Sequence, residues 1–236
     1  MNRRPRPDAD EIHLYALPLP DDPAELARLA PLLSADETAR ADRLLDRRRR
    51  DRWRTGRALL RRTLAGYLEQ EPAQLRFGYG THGKPFLVGE EGPHGLRFSL
   101  SHAGELLLVA VAVNDELGID LERLEEGIAF REMARRFFSA REREELFALP
   151  PADQLAAFYR CWTRKEAYLK GCGSGFAQPA DRFDVTLCPG EPPALVAHRG
   201  DAGETGRWRL VDLPVPSGYC AALACPGERL LSWRTP

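Results

Sequence analysis

The sequence predicts a fold of mixed helices and strands, because stretches of helical apolar period and stretches of strand-like alternation follow one another along the chain. Helical spacing dominates residues 34–70 and 130–170, whereas alternation broken by Gly and Pro dominates 76–113 and 183–233. A chain of 236 residues with 43% hydrophobic content can also bury a substantial core, as one large domain or two small ones.

The elements follow in order. Ile12 to Leu17 alternate weakly before Pro18 and Pro20, which predicts a short first strand ended by an extended turn. Ser34 with Glu37 three residues on is a capping box opening a helix through about Leu45. Asp51 to Gln70 reads as a long amphipathic helix, with Trp53, Gly56, Leu60, Leu64 and Tyr67 on one stripe and arginines on the other face. Short strands are expected at Phe86 to Val88, Leu96 to Leu100 and Leu106 to Val113, with Ser101 to Glu105 as a hairpin loop.

The polar break Asn114 to Glu116 divides the chain into an N-terminal half, 1–114, and a C-terminal half, 115–236. Gly118 to Glu122 reads as a strand. Helical period returns from Phe130 to about Leu149, with a second capping box at Ser139 and Glu142, and again from Ala152 to Lys170. The tail, Phe183 to Trp233, reads as several strands, with Gly190 to Gly206 the most loop-like segment. No sequence repeat relates the halves.

Bulk properties exclude several classes. The N-terminus, Met1 to Glu11, lacks the apolar stretch of a secretory signal, and the longest apolar run, Leu106 to Val113, is far too short to span a bilayer. Five cysteines without a C-x-x-C pair support neither a disulfide framework nor a zinc site, so reduced thiols and a cytoplasmic location are expected. The net charge of −1 is a near-cancellation of 34 basic and 35 acidic residues, so local segregation of charge matters more than the sum.

Two acidic patterns carry the chemistry. In the strand Gly118-Ile-Asp-Leu-Glu122 side chains alternate, so Asp120 and Glu122 share a face opposite Ile119 and Leu121. In the helix Trp162-Thr-Arg-Lys-Glu-Ala-Tyr-Leu-Lys-Gly171, residues four apart align Trp162, Glu166 and Lys170. If strand and helix pack together, three carboxylates converge, a set suited to Mg²⁺ and a phosphate ligand. Either pattern alone favours a plainer reading, a solvated edge strand or an ordinary helical ion pair.

Other polar signals are weaker singly. A helix face carrying Arg47, Arg50, Arg54 and Arg57 could grip a phosphate or a polyanion, although a solvated face laced with local ion pairs is the commoner outcome. Thr81 to Phe86 forms a turn presenting Lys84 at its tip, and Phe98-Ser-Leu-Ser-His102 puts hydroxyls on one strand face with a histidine at its exit. A Ser-His dyad is the rival reading there, but adjacent residues rarely achieve nucleophile-to-base geometry.

The ordered set Gly83-Lys84-Pro85, Phe98 to His102, Gly118 to Glu122, Arg136-Phe-Phe-Ser139 with Glu142, and Trp162 to Gly171 resembles the 4′-phosphopantetheinyl transferases of the larger, surfactin-synthetase-activating type. The likeness covers roughly Arg54 to Asp184. It implies a monomeric α+β fold of two similar halves related by pseudo-twofold symmetry, each a small, mostly antiparallel sheet packed with a long helix, with coenzyme A and Mg²⁺ between them. It further implies that Asp120, Glu122 and Glu166 bind the metal and that Lys170 lies near the pyrophosphate. Arg54, Lys84, Ser101 and His102 would then hold the nucleotide end, including its 3′-phosphate. One departure stands out: relatives often carry lysines where this chain has Glu37 and Arg40 within Ser34 to Arg43.

The implied reaction is attack by a serine of an apo acyl, peptidyl or aryl carrier protein on the β-phosphate of coenzyme A, releasing adenosine 3′,5′-bisphosphate. Asp120, Glu166 and Lys170 would be the catalytic groups, with Glu166 either a metal ligand or the general base. Phe130 to Phe147, with Arg131, Arg135 and Arg136, is the expected carrier-docking segment, and no nucleic acid or membrane is required. Two alternatives are a nucleic-acid-binding or scaffold protein using the Arg40 to Arg62 helices, and a Mg²⁺-dependent phosphoanhydride hydrolase.

Overall fold

In the computed structural model, which describes residues 4–68, 70–90, 92, 95–173 and 178–235, two sheets are stacked between two long helices. The first sheet contains β1 (Glu11–Pro18), β4 (Leu96–Ala103), β5 (Leu106–Val113) and β11 (Leu230–Trp233) in the order β11-β1-β5-β4. The second contains β6 (Gly118–Arg123), β9 (Trp208–Asp212) and β10 (Tyr219–Pro226) in the order β6-β10-β9. Their pairings are antiparallel except β1 with β11, so the end of the chain completes the first sheet.

The uninterrupted apolar run of β5 explains the stacking. Leu107, Val109 and Val111 join the core shared with α3 (Arg47–Ala65), while Leu108, Ala110 and Ala112 join a second core between the sheets. That inter-sheet core also takes Ile12 and Leu14 of β1, Ile119 and Leu121 of β6, and Ala221 and Leu223 of β10. The outer face of β10, with Ala222 and Ala224, packs under α6 (Pro151–Cys172) among Phe158, Ala167 and Leu169. Each sheet therefore buries both faces, and each is small, mostly antiparallel and packed against one long helix, as the resemblance implies.

The remaining elements are α1 (Pro23–Leu29), α2 (Ala35–Asp42), the β2–β3 hairpin (Phe77–Tyr79, Pro85–Leu87), α4 (Phe130–Phe137), α5 (Ala140–Ala148), the β7–β8 pair (Phe183–Val185, Leu195–His198) and α7 (Glu204–Arg207). Several bounds differ from those the sequence predicts. The strand expected to end at Leu100 runs on to Ala103, because Ser101 and His102 pair with Leu108 and Leu107; the turn shrinks to Gly104 and Glu105, with Gly104 at φ +53°. The helix expected from Phe130 to Leu149 is two, broken where Phe138 turns extended and Ser139 caps α5. The arginine helix begins at Arg47, four positions early, because Asp46 supplies the N-cap by accepting the Arg49 amide at 2.7 Å. Glu69, inside the expected Asp51 to Gln70 helix, lies outside the described residues.

Candidate active site

Two glycines bring strand and helix together. A Cβ at Gly118 would run into the backbone of α6 at the Ala167 carbonyl and the Gly171 amide, and one at Gly171 would meet the Trp208 ring. Without side chains at these points β6 lies against the α6 backbone. Asp120 and Glu122, on the same strand face as Gly118, are thereby carried under Glu166 and Lys170. Their antiparallel neighbours, Ala222 and Cys220, are small enough to leave space above the sheet.

The halves are also stitched at β4 and β6. The Ser99 hydroxyl accepts the Ile119 amide at 3.0 Å, and the Ser101 hydroxyl, two residues on, donates to Asp120 Oδ1 at 3.0 Å. Lys170 Nζ donates to the same Oδ1 at 2.6 Å and to Ser101 Oγ at 2.9 Å. Asp120 is only 3% exposed, and its second oxygen, Oδ2, is buried with no hydrogen-bond partner among the described residues. An unpartnered carboxylate oxygen in such a position is costly and points to a missing positive ligand.

The other two acids make the same point. Burial and, next, the Asp120 charge push the Glu122 carboxyl up to about 7, although the Trp162 indole donates to its Oε1 at 3.2 Å. Burial followed by Asp120 likewise pushes Glu166 up to about 7. Asp120, Glu122, Glu166, Lys170, Ser101, His102 and Trp162 line one cavity of about 360 Å³. The ammonium of Lys170 neutralises one charge among three.

Among the described residues no three His, Cys, Asp or Glu side chains are drawn tightly enough to form a ready-made metal cage. The donors nonetheless fit a hard divalent cation, since they are all carboxylate oxygens, one of them orphaned. Mg²⁺ in particular is commonly held by one or two carboxylates, with water and substrate phosphates completing its shell.

The remaining residues singled out by the sequence are distributed around this cavity. His102 is exposed at the lip it shares with an adjoining cavity of about 330 Å³, where Ile128, Met133 and Phe158 form an apolar wall. Lys84 lines a different cavity, about 340 Å³, and crosses the seam to Glu116 at 2.5 Å and to the carbonyls of Leu117 and Gly171 at 3.1 and 3.2 Å. Arg54 is paired with Asp42 of α2, and its Nε is buried without a hydrogen-bond partner among the described residues. Arg40 lies near the rings of Trp53 and Tyr79, 5.7 and 6.0 Å from their centroids.

The arginine stripe is largely committed within the protein. Glu37, 3% exposed, accepts from Nε of Arg57 and, at 2.5 Å, from Nε of Arg61. Arg61 also donates to the carbonyls of Pro72 and Leu75 at 2.6 and 2.9 Å. The departure at Glu37 thus has a structural consequence: its carboxylate locks α2 to α3, and the two guanidiniums hold it below its ordinary pKa despite burial.

Sequence reasoning did not single out Ser99 as a link between the halves, nor Glu116 as the partner of Lys84. The recurrence of hydroxyls at 99 and 101 on one strand face was the available signal for Ser99. Nothing local marks Glu116, which meets Lys84 only through the packing of the halves.

Comparisons with known proteins identify the family of the chain. Residues 20–114 match the family model described as 4′-phosphopantetheinyl transferase, N-terminal, and residues 116–224 match the 4′-phosphopantetheinyl transferase superfamily. The chain is 41% identical over 220 residues to the 4′-phosphopantetheinyl transferase HetI of Nostoc sp., covering 93% of this chain and 89% of that one. It is 32% identical over 160 residues to a 4′-phosphopantetheinyl transferase of Bacillus subtilis, covering 68% and 69%. Against the crystal structure of Thermotoga maritima holo-[acyl-carrier-protein] synthase the TM-score is 0.38 at 21% identity, over 48% of this chain and 64% of that chain. With residues 20–114 and 116–224 matched in order and a transferase 41% identical over 93% of this chain, the chain belongs to the 4′-phosphopantetheinyl transferases.

Proposed function

We propose that this enzyme transfers the 4′-phosphopantetheine moiety of coenzyme A to a serine of an apo carrier protein, in a Mg²⁺-dependent reaction that releases adenosine 3′,5′-bisphosphate. The observation that carries the reading is the buried, unpartnered Oδ2 of Asp120 among three carboxylates, beside the Lys170 ammonium. Asp120 and Glu122, with Glu166 beside them, would hold the divalent cation, which when bound supplies charge neutralisation at the pyrophosphate. The protein's own groups do the rest.

Lys170, held by Asp120 and Ser101, keeps an ammonium at the cavity where negative charge builds on the leaving phosphate oxygen. Glu166, with its carboxyl near neutrality, is suited to accept the proton of the incoming serine hydroxyl; in the alternative role it completes the metal ligands. His102, Lys84 and Arg54 are assigned to the nucleotide end of coenzyme A, and His102 has the exposure this needs. Ser101 joins the acid cavity through its bonds to Asp120 and Lys170.

For the carrier, α4 is the favoured contact. Arg131, Arg135 and Arg136 are exposed on it, while Phe138 is buried and stacks on Phe158 and Phe137 meets Trp162 edge-on. A basic rim over an aromatic base suits an acidic helical partner. Among the described residues no helix is long and apolar enough to cross a membrane, and the reading is of a monomeric, cytoplasmic enzyme. Incubation with coenzyme A, Mg²⁺ and an apo carrier, followed by intact mass, tests the reaction directly: the carrier gains one phosphopantetheine, or the reading fails.

A further inference from the structure

The three residues before Glu166 are polar, yet Thr163, Arg164 and Lys165 are 0%, 1% and 2% exposed. Each has found partners, as buried polar groups must. The Thr163 hydroxyl donates back to the Tyr159 carbonyl at 3.0 Å, and Arg164 forks onto Asp212 of β9 at 2.8 and 2.6 Å. Lys165 Nζ lies 2.7 Å from Glu142 Oε1, donates to the Phe183 carbonyl at 2.7 Å, and sits 4.2 Å from the centre of the Phe183 ring.

Glu142 is itself 0% exposed and fully used. Its Oε2 accepts the Ser139 amide at 2.9 Å, closing the capping box of α5, and its Oε1 accepts the Val185 amide of β7 at 2.8 Å. One carboxylate therefore ties α5, β7 and α6 together. Apolar side chains of similar size would fill the same volume without the desolvation cost of two charges, so packing alone does not account for the pair. What apolar contact lacks is direction. Consecutive residues turn by ~100° about a helix axis, so pinning Lys165 on the buried side fixes where Glu166 points and, one turn on, where Lys170 points.

We propose that Glu142 and Lys165 form a positioning pair that sets the rotation of α6 and so aims Glu166 and Lys170 into the acid cavity. The inference rests on the phosphopantetheinyl-transfer reading for its kinetic consequence, but its geometric consequence can be read without any substrate. Trp162 lies on the same helix and donates its indole N–H to Glu122, so its resonance reports the rotation of α6.

The experiment compares K165M and K165R with the wild type. In K165M, kcat is expected to fall about 10–100-fold, while KM for coenzyme A and for an apo carrier changes less than about threefold. In substrate-free protein labelled with ¹⁵N-tryptophan, the indole resonance assigned by Trp162→Phe moves in K165M. K165R, which keeps the charge, recovers most of the rate and the wild-type resonance.

A folded K165M with wild-type kcat, a lowered kcat with an unmoved Trp162 resonance, or a K165R as impaired as K165M would each overturn the proposal. Should K165M not fold, E142Q, which keeps length but removes the charge, takes its place with the same expectations. If neither folds, the pair serves stability and the positioning role is overturned. If the wild type itself transfers nothing, the functional reading fails while the Trp162 resonance still decides the positioning: a shift supports it and none overturns it.

Discussion

Lys170 Nζ lies 2.6 Å from Asp120 Oδ1, while Asp120 Oδ2, on the same buried carboxylate, has no hydrogen-bond partner among the described residues. One cation is thus supplied to a cluster of three acids, and Glu122 and Glu166 respond by holding their protons up to about pH 7.

Unfolded glutamates titrate near ~4.3, so between there and about 7 the folded chain retains protons that the unfolded chain has released. Stability of the cation-free protein attributable to Glu166 is therefore lost as pH rises through this window. Glu166→Gln should stabilise the cation-free protein by on the order of 1–2 kcal/mol at about pH 8 and hardly at all at about pH 4. Urea denaturation in a chelator gives both values, and an equal effect at the two pH values contradicts the assignment.

Binding of Mg²⁺ must displace those protons. Its apparent affinity should tighten by about tenfold or more between pH 6 and pH 8, with proton release seen as a buffer-dependent heat. Titration calorimetry with Mg²⁺ alone in two buffers checks this; pH-independent binding without proton release would rule out these acids as the ligands.

The close approach of β6 to α6 leaves no room at Gly118. Gly118→Ala should cost about 2 kcal/mol or more, since backbone rather than a flexible side chain blocks the new methyl. Transfer should fall further than stability, because the strand that shifts carries Asp120 and Glu122. Thermal unfolding beside single-turnover transfer separates the two effects, and a variant of wild-type stability contradicts the packing described.

Glu37 and Arg47 belong to the same helical region and should behave oppositely. Glu37→Ala strands the charges of Arg57 and Arg61 and should destabilise by about 3–5 kcal/mol. Arg47→Ala removes a side chain that is 82% exposed and should stay within about 0.5 kcal/mol of wild type. Chemical denaturation of the two variants decides it; comparable losses would mean that the arginines act as one surface.

Much of this was legible in the chain. Period two brings Asp120 and Glu122 to one face, period 3.6 aligns Trp162, Glu166 and Lys170, and the apolar run Leu106 to Val113 has the length of the strand it forms. Less legible is whatever depends on distant parts meeting. Glu37 looks like an ordinary capping-box acid, and its capture of two arginines from the next helix is a tertiary event. The pairing of β11 with β1 joins the two ends of the chain, which no local period encodes. Ser101 and His102 look like loop residues because they are polar, yet they continue β4, their polarity matching the cavity and lip they face.

The most direct measurement is the intact mass of an apo carrier protein incubated with coenzyme A and either the wild type or Asp120→Asn, with Mg²⁺ or with chelator. One added phosphopantetheine is expected with wild type and Mg²⁺, none with chelator, and a rate lowered about 10²–10³-fold in a folded Asp120→Asn. An unmodified carrier with wild type and Mg²⁺, or an Asp120→Asn variant as fast as wild type, would contradict the proposed function.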